Sequence, residues 1–372
     1  MKIVQLTPYA MDRPGGVQSH IRDLTGWLRT QGHDVRIVAP PGDTPVDDLD
    51  GLIELGSVRQ IAVHGTKFEL TRANRADLAS CVAALRDWGA EVAHLHTPWT
   101  PMLPLQVWRA LDIPGVATFH ATLPDSGGFD PLAWALRRSA HWFNRRLAGI
   151  VVPSKAPQEQ WRANNVSPVP GILAPTIDLS KWRAARDANT PGDGFHVVCM
   201  GRLEERKGAA TLLCAWHEVQ TQRPDARLTL AGDGPCKADL LEQAKNLDLH
   251  SVSFVPPPDN AAARDLIASA DVFAAPALHG ESFGIVLIEA MAAGTLPVAA
   301  SNVGYATVMT GPGSDLLVPP GDAPALARKL LELASQPALQ TKLLRWAKGH
   351  ADHYDVRHLG PAYEAFFHGA LG

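Results

Sequence analysis

The sequence predicts an α/β protein made of two doubly wound, Rossmann-like domains facing each other across a cleft. Three observations carry that expectation. Short apolar runs alternate with stretches of helical periodicity, the pattern of a parallel sheet covered by helices on both faces. The alternation pauses at Arg183–Gly194, a polar stretch holding Pro191, Gly192 and Gly194 that reads as a linker, and then begins again. The length of 372 residues fits two domains of ordinary size, and no internal repeat is visible. The expected division falls at 187/188. In sheets of this kind ligands bind beyond the carboxyl ends of the strands, so the site is expected there.

The elements follow in order. Lys2–Leu6 is an apolar run ended by Thr7-Pro8, and Gly15-Gly16 leads into Val17–Leu28, whose Val17, Ile21, Leu24 and Leu28 share one helical face. Gly32-His33-Asp34 turns the chain into a strand at Val35–Ala39. Strands are then expected at Ile61–Val63, Val92–His96, Val116–His120 and Gly149–Pro153, with a helix at Ala76–Trp88. In the second half strands are expected at Phe195–Met200, Arg227–Ala231, Ser251–Val255, Asp271–Ala275 and Leu296–Ala299. The helices between them lie near Gly208–Gln222, Cys236–Leu247, Ala261–Ala270 and Phe283–Ala293.

Composition excludes several classes of function. Lys and Arg number 34 against 38 Asp and Glu, a net charge of −4, which argues against a nucleic-acid partner. Cys81, Cys199, Cys214 and Cys236 lie far apart with no C-x-x-C spacing, so a disulfide framework or structural zinc site is not expected. Met1–Pro8 reads as a strand rather than a leader, and no run of eighteen apolar residues exists, so a cytoplasmic protein is expected.

Chemistry concentrates in three segments. His279–Gly294 places Gly284 at a helix start, where exposed N–H groups and the helix dipole attract phosphate. Glu289, inside that helix, suits ribose hydroxyls, and Glu281, before it, suits the sugar of the same ligand. Gly201–Gly208 follows a strand and carries Arg202 and Lys207, two cations able to clamp a diphosphate. Asp12–Gln18, after the first strand, contains Gly15 and Gly16, which allow a backbone to approach a ligand closely. Neither this loop nor Gly232-Asp233-Gly234-Pro235 completes the dinucleotide fingerprint, so a dehydrogenase is not expected.

These residues together resemble the family-four retaining glycosyltransferases of the GT-B fold, and in particular the bacterial phosphatidylinositol mannosyltransferases. Pro8-Tyr9, Pro14–His20, Ala117–His120 and Gly280–Gly294 carry the resemblance, which extends over nearly the whole chain. It implies transfer of a hexose, with mannose the best guess, from GDP-mannose or a UDP-sugar to an acceptor hydroxyl, with retention of configuration. It implies no bound metal and no cofactor beyond the nucleotide sugar. Arg202 and Lys207 would bind the donor diphosphate, with Gly15 and Gly16 approaching it from the first domain. Phe283, Gly284, Ile285 and Glu289 would hold the rest of the donor, Val255 would lie by the base, and Glu281 would face the sugar. His120 would lie near the reacting carbon, making His120, Arg202, Lys207 and Glu281 the catalytic group. Tyr9, Asp12, Gln18, His96, His120 and Thr122 would line the acceptor side. The tail 356–372 would cross back onto the first domain.

The remaining candidates divide. His94 and His96 share one face of their strand; His96 reads as reaching the acceptor and His94 as a satisfied core residue. Asp48-Leu49-Asp50 spells a metal-binding carboxylate pair but sits in a polar loop and reads as solvated surface. Residues 132–147 combine Trp134, Trp142 and Phe143 with Arg137, Arg138, Arg145 and Arg146. That helix fits peripheral contact with an anionic membrane and a lipid or lipid-linked glycan acceptor. It equally fits a domain helix with an exposed arginine face and a soluble acceptor. An epimerase, a hydrolase or a nucleotide-sugar binding module on the same architecture are the rival functions.

Overall fold

The computed structural model of the chain describes residues 1–13, 15–63, 66–98, 102–120, 131–189 and 192–372. They form two units, Met1–Ile177 with Val356–Gly372, and Asp178–Asp355. The first runs β1 (Lys2–Leu6), α1 (Gly16–Thr30), β2 (Asp34–Ala39), β3 (Leu52–Glu54), β4 (Ser57–Val63), β5 (Thr66–Arg72), α2 (Arg75–Trp88) and β6 (Val92–His96). It continues with α3 (Leu103–Leu111), β7 (Gly115–Thr118), α4 (Pro131–Asn144), β8 (Gly149–Val152), α5 (Lys155–Ala163) and β9 (Gly171–Ile172). Among the described residues the main sheet has seven parallel strands in the order β3-β2-β1-β6-β7-β8-β9.

Strand periodicity sends alternate residues of this sheet into two different cores. Val4, Leu6, Ala93, Leu95 and Ala117 meet α2, α3 and α4 through Val82, Leu85, Val107, Leu111 and Phe143. Ile3, Val92 and Val116 face the other way, onto Leu24 and Leu28 of α1. Gln5 is level with His94 in the register and His96 with Thr118, so these polar residues share the α1 face. All five residues of β6 are buried, so its two histidines must find partners inside the protein.

The second unit runs α6 (Leu179–Ala188), β10 (His196–Met200), α7 (Ala209–Gln222), β11 (Arg227–Ala231), α8 (Lys237–Asn246), β12 (Val252–Val255), α9 (Asn260–Ala268) and β13 (Val272–Ala275). Then come α10 (Ile285–Ala292), β14 (Leu296–Ala300), α11 (Val303–Val308), β15 (Leu317–Val318), α12 (Ala323–Ser335) and α13 (Pro337–Ala351). Its parallel sheet has the order β12-β11-β10-β13-β14-β15, with the reversal between β10 and β13. The last helix, α14 (Val356–Leu371), belongs to the first unit, where Tyr363 and Phe367 are buried against Leu24 and Leu28.

The structure corrects the sequence reading in three places. The expected linker from Arg183 begins inside α6, which continues to Ala188. Asp178 caps that helix by accepting from Ser180 N–H, Trp182 and Ala185 are buried, and the Arg186 guanidinium donates to Ala268 O at 2.7 Å. The chain therefore divides after Ile177, ten residues before the expected point. Ile61–Val63 lies in an antiparallel hairpin of β4 with β5 and not in the main sheet. His120 stands two residues beyond the end of β7, although Phe119 N–H still donates to Val151 O at 3.0 Å.

Candidate active site

In the second unit, charged side chains gather where the strand order reverses, at the carboxyl ends of β10 and β13. The loop after β10 supplies Arg202, Glu204, Arg206 and Lys207, and the loop after β13 supplies Glu281. Arg202 Nε lies 2.9 Å from Glu204 Oε1, and Arg206 Nε lies 3.1 Å from Glu204 Oε2. Lys207 Nζ donates to Glu281 Oε1 at 2.7 Å, with Arg206 Nη1 3.5 Å from the same oxygen. Three cations thus share two carboxylates, a cluster with one positive charge to spare for an anion. Arg202 is 51% exposed while Glu204 is 8% exposed, so the carboxylate is an internal anchor that aims an accessible guanidinium.

The backbone draws these loops together. Arg206 O accepts from Leu278 N–H at 2.8 Å, and Leu203 N–H donates to Asp233 O at 2.9 Å. Gly208 has φ +72°, and a Cβ there would lie 2.1 Å from Pro276 O, so only glycine lets the two loops approach. Gly284, at φ +106°, begins α10 with no side-chain cap, three residues after Glu281 of the cation cluster. A Cβ on Gly284 would meet the Tyr305 ring at 2.6 Å. Burial, reinforced by the charge of Glu281, holds the Tyr305 phenol well above its usual range and keeps it neutral. Burial pushes the Cys199 thiol up to about 12, against the pull of Lys207.

The other predicted donor residues lie in or just before α10 and at the end of β12. Glu289 is buried within α10. The Phe283 side chain is turned into the interior, edge-on to Tyr354 at 5.5 Å, so residue 283 has only its backbone to offer a ligand. Ile285 is half-buried in the first turn of α10. Val255, at the end of β12, gives its carbonyl to Gly232 N–H at 3.0 Å. Glu204 and Arg206, which tie the cluster together, carry no signal in the sequence beyond being two more charges in a charged loop.

In the first unit four histidines converge at the carboxyl ends of β1, β6 and β7. His94 has both ring nitrogens bonded, to Gln5 Oε1 and Thr118 Oγ1, each at 2.8 Å. His96 reaches Gln5 Oε1 at 2.7 Å through Nε2 and His120 Nε2 at 2.9 Å through Nδ1, with the planes of the two bonded rings only 14° apart. His20 Nδ1 accepts from Thr176 N–H at 2.9 Å, and its ring stands edge-on to His96 and His120. Burial pushes His94 and His120 down to about 3, and burial with the neighbouring rings holds His20 and His96 well below the ordinary histidine range. All four are neutral at pH 7.

Nitrogens of His20, His96 and His120 lie within 4.8 Å of one another, a spacing to be tested against a metal. The hydrogen bonds oppose it. Thr176 N–H occupies Nδ1 of His20 and so puts the ring proton on Nε2, and His96 spends both nitrogens on Gln5 and His120.

Several acceptor-side expectations need correction. His96 has no exposed surface and stands behind His120, so it acts on an acceptor only through that ring. Asp12 Oδ2 accepts from the N–H groups of Asp43 at 2.7 Å and Thr44 at 3.2 Å, while its Oδ1 is buried without a hydrogen-bond partner. Gln18 donates to Ala10 O at 3.3 Å and folds over Gly15, where a Cβ would lie 2.5 Å from its Oε1. Gly16 opens α1, and Tyr9 is half-buried with its N–H on Thr7 Oγ1. Thr122 lies outside the described residues. Asp48 is 72% exposed and paired with Arg22, in keeping with a surface loop.

Comparison with known proteins adds an independent line. Residues 14–179 match the model of Glycosyltransferase Family 4, and residues 180–350 that of glycosyl transferases group 1. The chain is 31% identical to the phosphatidyl-myo-inositol mannosyltransferase of Mycolicibacterium smegmatis, over 95% of this chain and 90% of the relative. It is 33% identical to that of Mycobacterium leprae, over 95% and 93%. Among solved structures, Anabaena HepE in complex with UDP and glucose matches with a TM-score of 0.75 at 20% identity, over 98% of this chain and 99% of that one. The fold, the cation cluster and these relatives agree: the chain is a glycosyltransferase and belongs to the group 1, family 4 glycosyltransferases of the GT-B fold.

Proposed function

We propose that the protein transfers mannose from a nucleoside-diphosphate donor, GDP-mannose for preference, to a hydroxyl of a lipid or lipid-linked glycan, with retention of configuration and without a bound metal. The observation that carries this reading is the cluster of Arg202, Arg206 and Lys207 on Glu204 and Glu281, set beside the uncapped start of α10. The leaving group of such a transfer is a diphosphate. Preorganised cations and N–H dipoles stabilise the charge that develops on it. Each carboxylate in the cluster already serves a cation, which leaves no acidic pair for a divalent ion. A donor phosphate takes up the Lys207 ammonium and frees Glu281 to hold the sugar. The acceptor hydroxyl attacks on the face from which the diphosphate departs and passes its proton to a departing phosphate oxygen. His120 orients the sugar or the acceptor as a neutral ring.

The choice of mannose and of a lipid acceptor rests on the relatives, whose names state both. The surface of α4 supports the lipid: Trp134 is 52% exposed, and Arg137, Arg138, Arg145 and Arg146 are exposed on or just after the helix. No helix among the described residues is long and apolar enough to cross a membrane, so contact would be peripheral, at the inner membrane face. Thermal-shift measurement against a panel of nucleotide sugars, with no metal added, tests the donor site. Stabilisation by one nucleoside diphosphate and its sugar is expected; no shift with any of them contradicts the reading.

A further inference from the structure

Gln5 lies in β1 with no exposed surface, and its side chain joins the two histidines of β6. The amide oxygen accepts from both rings, while the amide nitrogen is buried without a partner. A neutral imidazole has one N–H and one lone pair, so each bond in this cluster dictates the next. With the Gln5 oxygen against the rings, His96 carries its proton on Nε2 and accepts at Nδ1 from His120 Nε2–H. His120 then keeps its lone pair at Nδ1. His94 carries its proton on Nδ1 and accepts at Nε2 from Thr118.

Rotating the amide by half a turn puts its NH2 against the same two ring nitrogens and reverses every proton. His96 and His120 then both carry the proton on Nδ1, and His94 carries it on Nε2. The first orientation leaves the amide nitrogen unsatisfied, so it is not held in place by a complete set of bonds. Mixed patterns set two N–H groups or two lone pairs face to face and lose a buried hydrogen bond. His20 stands outside this exchange because Thr176 N–H fixes its proton on Nε2. The other groups packed on the cluster, Tyr363 of α14 and Thr118 of β7, carry no charge.

We propose that Gln5 is a positioning residue whose amide orientation decides whether His120 presents a lone pair or an N–H at Nδ1. The relevance to transfer rests on the reading of His120 as a group beside the reacting sugar. His120 with a lone pair orients a hydroxyl that donates, and His120 with an N–H orients an oxygen that accepts.

The test is nitrogen-15 spectroscopy of the full chain with labelled histidine at neutral pH, which reads the protonated nitrogen of each ring. In the unaltered protein His96 and His120 are expected to show the same tautomer, in whatever proportion, and His94 the opposite one. In Gln5→Leu, which removes the amide that joins the rings, His96 and His120 are expected to change their tautomer proportions together, still matched through their own bond. Opposite tautomers on His96 and His120, or matching tautomers on His94 and His96, overturn the coupling without need of any variant. A Gln5→Leu protein in which the three rings keep the tautomer proportions of the unaltered protein, or in which His96 changes and His120 does not, also overturns it. The spectra report protons and not turnover, so they separate failure of this coupling from failure of the proposed function.

Discussion

At the scale of single residues, the two clusters illustrate opposite uses of polarity. In the second unit charge is displayed: Lys207 is held by Glu281 at 2.7 Å yet stays partly accessible. On the proposed donor reading, replacing it removes a cation from the point where diphosphate charge develops, so Lys207→Ala is expected to lower turnover by roughly 100-fold or more with the fold intact. Steady-state kinetics beside a circular dichroism spectrum check this. In the first unit charge is suppressed. His20, His94, His96 and His120 are neutral when folded, and each regains a pKa near 6.5 when unfolded. Below about pH 6.5 the unfolded chain therefore binds more protons, and stability is expected to fall as pH drops from there toward 3. His94 and His120 each contribute about 1.4 kcal/mol per pH unit in that window, and His20 and His96 act in the same direction. Thermal unfolding between pH 7.5 and 5 measures the slope, which His94→Gln should make shallower by one proton.

At the scale of elements, the loops after β10 and β13 matter more than the strands. Gly208 follows Lys207 directly, in a left-handed conformation, with Pro276 O where a side chain would begin. Gly208→Ala is expected to destabilise the second unit by about 2 kcal/mol or more and to weaken nucleotide binding together with it. Urea unfolding and a binding isotherm check the pair of effects. Arg202, Lys207, Glu281 and Gly284 were legible in the sequence because charge and glycine next to a strand or helix end are local signals. Glu204 was not, since nothing in Glu204-Glu205 shows which carboxylate is buried. The histidine cluster was half legible. Two of its members alternate along one strand, but His20 and Gln5 join them only through register and helix packing. The helix Leu179–Ala188 was hidden by the proline and glycines beyond it, although Leu179, Trp182 and Ala185 mark its buried side.

At the scale of the molecule, the final helix is part of the first unit and not an appendage. Tyr363 and Phe367 have no exposed surface, and Gly360 lies so close to Trp27 that a Cβ would meet its ring at 2.5 Å. Losing either aromatic side chain is expected to cost about 3–5 kcal/mol. A chain ending at Asp355 should therefore lose cooperative unfolding of the first unit while the second persists, which limited proteolysis followed by mass spectrometry would reveal. The double α/β organisation itself was legible because apolar runs and helical faces alternate twice. The exact seam was not, because a composition change does not say which side a helix packs against.

The proposed transfer moves mannose from a nucleoside diphosphate to a lipid hydroxyl with retention. Incubating the protein with GDP-mannose and phosphatidylinositol vesicles in the presence of a chelator, then determining the anomeric configuration of the extracted glycolipid by NMR, tests it most directly. A mannosylated lipid with the configuration of the donor, formed as GDP is released, is expected. An inverted product, or GDP and free sugar with no glycolipid, would contradict it.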